Sequence, residues 1–76
     1  MNDLIIRMAQ LLSEHPGDIQ LVELTGAQTS IYEIRCHASD VGKIIGKNGK
    51  TIAAMRALAG AVAQNAGKRA VLEVIQ

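Results

Sequence analysis

The stretch Gly42–Ile52 reads GKIIGKNGKTI and decides the fold of this 76-residue chain. Two glycines, Gly46 and Gly49, lie three residues apart and interrupt an otherwise helical pattern. Because glycine has no Cβ, it lets the backbone turn tightly and approach a ligand closely. The helix that resumes near Lys50 offers free N–H donors and the positive end of its dipole to an anion. With lysines and isoleucines around the turn, the segment is typical of a site that binds a sugar–phosphate backbone beside an apolar wall.

Two other phosphate-binding patterns do not match this segment. The sequence from Gly49 to Thr51 is similar to the end of a nucleotide-binding P-loop, but that motif needs a glycine where the chain has Ile44. The glycines at 42, 46 and 49 also miss the spacing of dinucleotide-binding folds. A helix–turn–helix corner with solvated lysines remains an alternative for the G-x-x-G pattern taken alone.

The segments before the glycine turn predict a helix followed by a β-hairpin. Asn2 or Asp3 can cap the helix, and Pro16 ends it. The helix is expected to bury Leu4, Ile5, Met8, Leu11 and Leu12. Runs 19–25 and 31–38 have the composition and alternation of strands, and the loop 26–30 between them is typical of a hairpin.

The segments around and after the turn predict two helices and a last strand. Ser39 and Asp40 are expected to cap a short helix before the turn, with the carboxylate of Asp40 in its first turn. The second helix runs from Lys50 to about Ala66 and stops at Gly67. Its expected buried stripe is Ile52, Met55, Ala59 and Val62. Residues 70–76 form the strand, so the fold class is α+β, in the order α-β-β-α-α-β, with three helices on one face of a three-stranded sheet.

Composition excludes several classes of protein. Seventy-six residues leave room for one small domain, spanning 1–76. Tyr32 is the only aromatic residue, so the chain cannot build the base-stacking platforms of many RNA-binding folds. One cysteine, Cys36, and two histidines fall short of the four Cys/His ligands of a structural zinc site. No arrangement of acid, base and nucleophile appears, so we expect no metal, no cofactor, no small-molecule substrate and no catalysis.

The charge distribution and the hydropathy pattern indicate which partners and which cellular compartment to expect. Residues 41–76 contain six lysines and arginines and a single acidic residue, whereas residues 1–40 contain six acidic residues and two arginines. A locally basic segment in a nearly neutral chain favours one focused anion site. The apolar runs are too short for a membrane span, and the N-terminus lacks the pattern of a signal peptide. We therefore expect a cytoplasmic protein that does not bind membranes.

The segment Ile45–Ile52, IGKNGKTI, is a complete match to the I-G-x-x-G-x-x-I signature of the KH domain, which the chain resembles over nearly its whole length. The order of helices and strands is similar to that of the type II KH arrangement. A free-standing domain of this size resembles the bacterial KhpA family. That resemblance implies a cytoplasmic RNA-binding protein, an RNA chaperone or post-transcriptional regulator, with a KhpB-type partner and a link to cell-wall homeostasis and cell shape.

The KH resemblance also implies roles for individual residues. The GXXG loop, Gly46, Lys47, Asn48 and Gly49, is expected to clamp the backbone of single-stranded RNA. Ile44 and Ile45 are expected to form the groove wall, and Ile52 to seat the following helix. Lys43 and Lys50 are expected to contact phosphates. Arg35 and His37 are further candidates, but the sequence does not show whether their face of the strand lies towards the RNA groove.

Two other functional classes remain open from the sequence. One is a KH fold used as a scaffold in a ribonucleoprotein complex, and the other is a nucleotide-binding fragment. The uncovered face of the sheet is expected to expose apolar residues among charged ones and to bind a partner, as a homodimer or a heteromer. The apolar residues expected there are Leu21, Ile31, Val71 and Ile75, and the charged ones Glu23, Glu33, Arg35 and Glu73.

Overall fold

The computed structural model describes residues 1–75, and within them the predicted order α-β-β-α-α-β is confirmed. Short 3-10 turns at Pro16–Asp18, Ala38–Asp40 and Lys47–Gly49 connect the main elements. The helices and strands are α1 (Asn2–Leu12), β1 (Gln20–Thr25), β2 (Thr29–Arg35), α2 (Val41–Ile45), α3 (Lys50–Asn65) and β3 (Arg69–Ile75). Of the predicted last strand, Gln76 lies outside the described residues. No helix in this part of the chain has the length and apolar character needed to cross a bilayer.

The sheet is mixed and places β2 in the centre. β1 pairs with β2 in antiparallel fashion through the hairpin loop at residues 26–28, where the Gly26 N–H donates to the Thr29 carbonyl at 2.8 Å. β3 pairs with β2 in parallel, because α2 and α3 carry the chain back across one face of the sheet. Within residues 1–75, one edge of β3 therefore has no neighbouring strand.

The core lies between one face of the sheet and the helices. Its buried members come from alternate positions of β2, from one position of β3 and from one face of each helix. They are Ile5, Ala9, Tyr32, Ile34, Ile44, Ile52, Met55, Ala59 and Leu72. Fully burying a large aliphatic side chain contributes about 1.5–3 kcal/mol, so this cluster is the main source of stability.

The predicted buried faces of the two long helices were partly wrong. In α1, Leu4 and Leu11 are 41% and 72% exposed, because the helix contacts the core along Ile5 and Ala9. In α3, Val62 is 44% exposed and Ala63 is buried instead. Both helices bury an i, i+4 row that includes alanine, whose small side chain lets the helix axis approach the sheet.

The predicted stop of α3 is confirmed. Gly67 adopts the left-handed conformation with φ 72°. Its N–H donates to the Gln64 carbonyl at 3.0 Å, and the Lys68 N–H donates to the Ala63 carbonyl at 2.9 Å. This pair of bonds is the Schellman arrangement, which satisfies carbonyls that the helix end would leave unpaired.

The predicted N-terminal cap of α1 was wrong, since Asn2 is already helical and Met1 occupies the cap position.

The predicted composition of the open sheet face was wrong for β1. Leu21 pairs with Ile34 and Glu23 with Tyr32, so both point to the helix side, where Asn2 at the start of α1 donates to Glu23 and lowers its pKa. Val22 and Leu24 lie on the open face instead, beside Ile31, Glu33 and Arg35 of β2 and Val71, Glu73 and Ile75 of β3. β1 has apolar residues on both faces, so only the pairing with β2 fixes which of them is buried.

Candidate nucleic-acid interface

The GXXG loop is a tight, left-handed turn between α2 and α3. α2 ends at Ile45, and Gly46 follows with φ 78° and ψ 171°. Asn48 and Gly49 both have positive φ, at 57° and 72°. Asparagine and glycine tolerate this region better than other residues, so the sequence N-G suits the backbone that reverses the chain here.

Gly46 is required by packing as well as by conformation. A Cβ at this position would lie 2.6 Å from the Cβ of Thr51 and 3.0 Å from its backbone nitrogen. At Gly49 a Cβ would meet nothing within 4 Å. Gly46 therefore packs the loop directly against the first turn of α3, and Gly49 supplies the αL residue that precedes the helix.

The loop presents cations to solvent at the start of α3. Lys47, Asn48 and Lys50 are exposed, and the residue at the N-cap of α3 is Gly49, which has no side chain to cap the helix. The N–H groups of Gly49 and Lys50 donate to the carbonyls of Gly46 and Lys47, and the dipole of α3 adds a partial positive charge at this end of the helix. This end of α3, with Lys47 and Lys50 beside it, is suited to bind a phosphate group.

A groove of about 690 Å³ runs from this loop to the free edge of β3. Its size lies within the usual range of ligand sites, about 300–1,000 Å³. One wall belongs to the loop and to α3, and the other to the last three described residues of β3. The lining residues are Ile45, Asn48, Gly49, Ile52, Arg56, Glu73, Val74 and Ile75.

The structure brings most of the expected site residues to this groove but not all. Ile45 and Ile52 form its apolar lining next to the loop. Ile44, expected as part of the groove wall, is fully buried and belongs to the core. Successive residues on a helix point about 100° apart, so Ile44 and Ile45 cannot both face the groove.

Lys43 lies outside the groove lining and is engaged by two carboxylates. Its ammonium is 3.3 Å from Glu14 and 3.7 Å from Asp40. Any phosphate contact by Lys43 therefore competes with these ion pairs, unlike contacts by Lys47 and Lys50.

The sequence predicted that Asp40 caps α2, but its side chain makes no capping hydrogen bond there. It stabilises the turn after α1 instead. Its carboxylate is fully buried and accepts hydrogen bonds from the N–H groups of Glu14 and His15, at 3.1 and 2.9 Å. The ring Nδ1 of His15 lies 3.2 Å from the same carboxylate. Burial alone would raise the pKa of Asp40, but these hydrogen bonds and the His15 ring outweigh burial and hold the pKa below its usual value.

The further candidates Arg35 and His37 are placed away from the groove. Arg35 lies on the open sheet face, 3.5 Å from Glu33. The ring of His37 stacks on that of His15 with centroids 4.1 Å apart.

Burial raises the pKa of the Cys36 thiol, which disfavours the reactive thiolate. No group of three His, Cys, Asp or Glu residues within 1–75 is arranged to hold a metal ion.

Sequence reasoning missed Arg56 and the approach of β3 to the loop. Arg56 lies one turn after Ile52 on the same side of α3, and its Nη2 donates to the Leu72 carbonyl at 3.3 Å. The i, i+4 spacing from Ile52 is the signal that could have found it. Nothing local in the sequence brings β3 beside the loop, because that contact depends on the crossover through α3.

Comparison with known proteins gives one consistent family. A family model described as "KhpA/KhpB, KH domain" matches residues 2–74. The chain is 37% identical to the "RNA-binding protein KhpA" of Clostridium acetobutylicum over 99% of this chain and 100% of the relative. It is 36% identical to the protein of that name from Chlamydia caviae, over 100% and 97%, and 30% identical to that from Aquifex aeolicus, over 100% and 96%. No solved structure matches the chain.

Proposed function

The chain belongs to the KhpA/KhpB KH-domain family, and from this premise we propose that it binds single-stranded RNA and catalyses no reaction. The observation that carries the proposal is the continuous groove between the GXXG loop and the edge of β3. Relatives that align over the whole chain are named RNA-binding proteins, which supports the choice of RNA over other polyanions.

Each wall of the groove has a separate task in the proposed complex. The backbone of residues 46–49 approaches the RNA closely, and the N–H groups at the start of α3 bind a phosphate. Lys47 and Lys50 neutralise neighbouring phosphates. The bases lie on Ile45 and Ile52, since the groove lining contains no aromatic ring on which they could stack.

The first test is binding of short fluorescent single-stranded RNA measured by anisotropy at several salt concentrations. Neutralising two or three phosphates gives a slope of roughly −1.4 to −2 in log affinity against log salt. RNA much longer than one groove is expected to add little affinity per monomer. No binding even at low salt would contradict RNA binding and favour the scaffold alternative, and binding of ATP or GTP in equilibrium dialysis would favour the nucleotide-binding alternative.

Within this function we propose a role as a cytoplasmic RNA chaperone or post-transcriptional regulator. A single open groove binds RNA weakly and reversibly, which suits a protein that must release RNA after helping it to rearrange. The link to cell-wall homeostasis and cell shape is proposed on family resemblance alone.

The open sheet face supports a second interaction, with another KH protein. Val22 and Leu24 are 37% and 52% exposed there, beside Ile31, Val71 and Ile75. Apolar groups clustered on one face are typical of association surfaces. We propose that this face binds a second copy or a KhpB-type protein, which would place two grooves on one RNA and raise the affinity through avidity.

Sedimentation at high concentration, with and without the KhpB-type protein of the same organism, tests this surface. Association is expected to weaken when Leu24→Asp places a charge on the open face, while the fold is retained. A strict monomer in both experiments would contradict the proposal. Equal association of the Leu24→Asp variant would assign the contact to another face.

A further inference from the structure

Two carboxylates lie side by side on the open face of the sheet, and only one of them has a cationic partner. The parallel register pairs Glu73 of β3 with Glu33 of β2. Glu33 lies 3.5 Å from Arg35, whereas Glu73 takes part in no ion pair within residues 1–75. Like charges opposite each other in a sheet are destabilising, so a cation from outside the chain would stabilise this face by pairing with Glu73.

The same strand carries a cation at a matching position. Alternate residues of a strand lie on the same face, so Arg69, Val71 and Glu73 all lie on the open face. Arg69 is exposed, pairs with Thr29 in the sheet and takes part in no ion pair within residues 1–75. Arg69 and Glu73 are each two residues from Val71, which places them about 7 Å from it in opposite directions.

An apolar row crosses the three strands at the level of Val71. Leu24 pairs with Ile31, and Ile31 pairs with Val71. Leu24 is 52% exposed, and Ile31 and Val71 are partly exposed. The row lies midway between the cation and the carboxylate of β3, so this surface is complementary to itself.

A two-fold axis that crosses the strands along this row uses both features. It lays each strand on the same strand of a second copy in the opposite direction, as an isologous contact requires. The apolar row then packs on its own copy, and Glu73 of each chain faces Arg69 of the other. Packed sheets lie about 10 Å apart, a gap that a glutamate and an arginine side chain together span.

The charges on β2 disfavour the other simple two-fold arrangement. An axis along β2 would place Glu33 on Glu33 and Arg35 on Arg35, so that like charges repel. The axis across the strands brings Glu33 over Thr29 of the second copy instead, and the Thr29 hydroxyl can donate to that carboxylate.

We propose that the open face of the sheet binds a second copy of this chain through this two-fold contact, with two reciprocal Glu73–Arg69 ion pairs on either side of the apolar row. The inference rests on the sheet-face association proposed above and assigns its partner and its orientation. The helices lie on the other face of each sheet, so both GXXG loops remain on the outside of the dimer.

Two opposite charge reversals, studied alone and mixed, test this contact. Glu73→Lys sets cations against Arg69 at both ends of the row, and Arg69→Glu sets carboxylates against Glu73. Each variant alone is expected to dimerise about tenfold or more weakly than wild type. An equimolar mixture is expected to recover the wild-type affinity, because both contacts of the mixed dimer then join opposite charges.

Sedimentation at high protein concentration measures this association. A face of three short strands presents only roughly 300 Å², less than the about 800 Å² per partner of stable complexes, so a weak dimer is expected. Circular dichroism melts check that each variant is folded.

Arg35→Glu is the matched control for Arg69→Glu. It makes the same charge reversal on the same face, but Arg35 lies four residues beyond Ile31 and does not face Glu73 of the second copy. Labelled Glu73→Lys protein is expected to bind Arg69→Glu about tenfold or more tightly than Arg35→Glu.

Three results would overturn the inference. Equal binding of the two partners by labelled Glu73→Lys, or wild-type dimerisation of either single variant alone, would show that Glu73 and Arg69 do not meet. A wild-type protein that is monomeric alone but associates with the KhpB-type protein would overturn the self-association and leave the sheet-face contact with that protein standing. A monomer in both experiments would contradict the sheet-face association itself.

Discussion

Replacing Lys47 and Asn48 together by aspartate is expected to abolish binding of short single-stranded RNA. Both side chains are exposed in the turn that precedes α3, so two carboxylates would stand where a phosphate must approach. They would repel the phosphate and could accept hydrogen bonds from the helix N–H groups themselves. We expect the affinity to fall by about a hundredfold or more at moderate salt, which corresponds to losing about 3 kcal/mol.

The same double variant is expected to remain folded. Neither residue contributes to the core, and aspartate tolerates the left-handed conformation of Asn48, with φ 57°, about as well as asparagine does. Anisotropy with labelled RNA measures the binding, and circular dichroism melts of variant and wild type measure the stability.

A matched control separates a local effect from a change in net charge. Asn65→Asp with Lys68→Asp makes the same two substitutions at the other end of α3, where both residues are exposed. This control adds the same negative charge and is expected to reduce binding only modestly, through long-range electrostatics that salt screens. If the folded Lys47/Asn48 variant binds RNA as tightly as wild type, or if the control loses as much affinity, the GXXG loop is not the phosphate site.

The elements of the fold could be predicted from the sequence because their signals are local. Gly67 ends α3 by adopting positive φ. The predicted stop of α1 was less accurate, since the helix ends at Leu12 and Pro16 begins the next 3-10 turn. The glycine turn at 46–49 is equally local, since its backbone conformation depends on residues inside it. These features need no knowledge of what lies across the sheet.

The buried faces and the second wall of the groove depend on contacts between distant segments. β1 carries Leu21 and Val22 in succession, so its alternation does not choose a face until pairing with β2 does. Ile44 and Ile45 pose the same ambiguity in a helix of five residues, which is too short to show a stripe. The contact of Arg56 with the Leu72 carbonyl depends on the parallel placement of β3, which no local pattern encodes.

Asp40 is an example of a long-range interaction whose removal is expected to destabilise the protein strongly. Asp40→Ala deletes the acceptor for the N–H groups of Glu14 and His15 and leaves Lys43 with one carboxylate partner. Losing the partner of a buried or half-buried donor costs more than the bond contributes. For a chain of this size we expect the melting temperature at pH 7 to fall by about 10 °C. Asp18→Ala, which removes an exposed carboxylate from the neighbouring turn, is the control and should change it little.

The pH dependence distinguishes the charge of Asp40 from simple packing. The pKa of Asp40 is lower in the folded protein than its ordinary value of 3.8, so the folded state favours the ionised form. The stability that this carboxylate contributes is therefore fully present above that ordinary value and is lost as the pH falls through the lower pKa of the folded state. The difference in melting temperature between wild type and Asp40→Ala should therefore narrow as the pH is lowered below about 5. A difference that stays the same down to pH 2 would mean that Asp40 stabilises the α1–α2 junction by filling space, because a packing defect does not titrate.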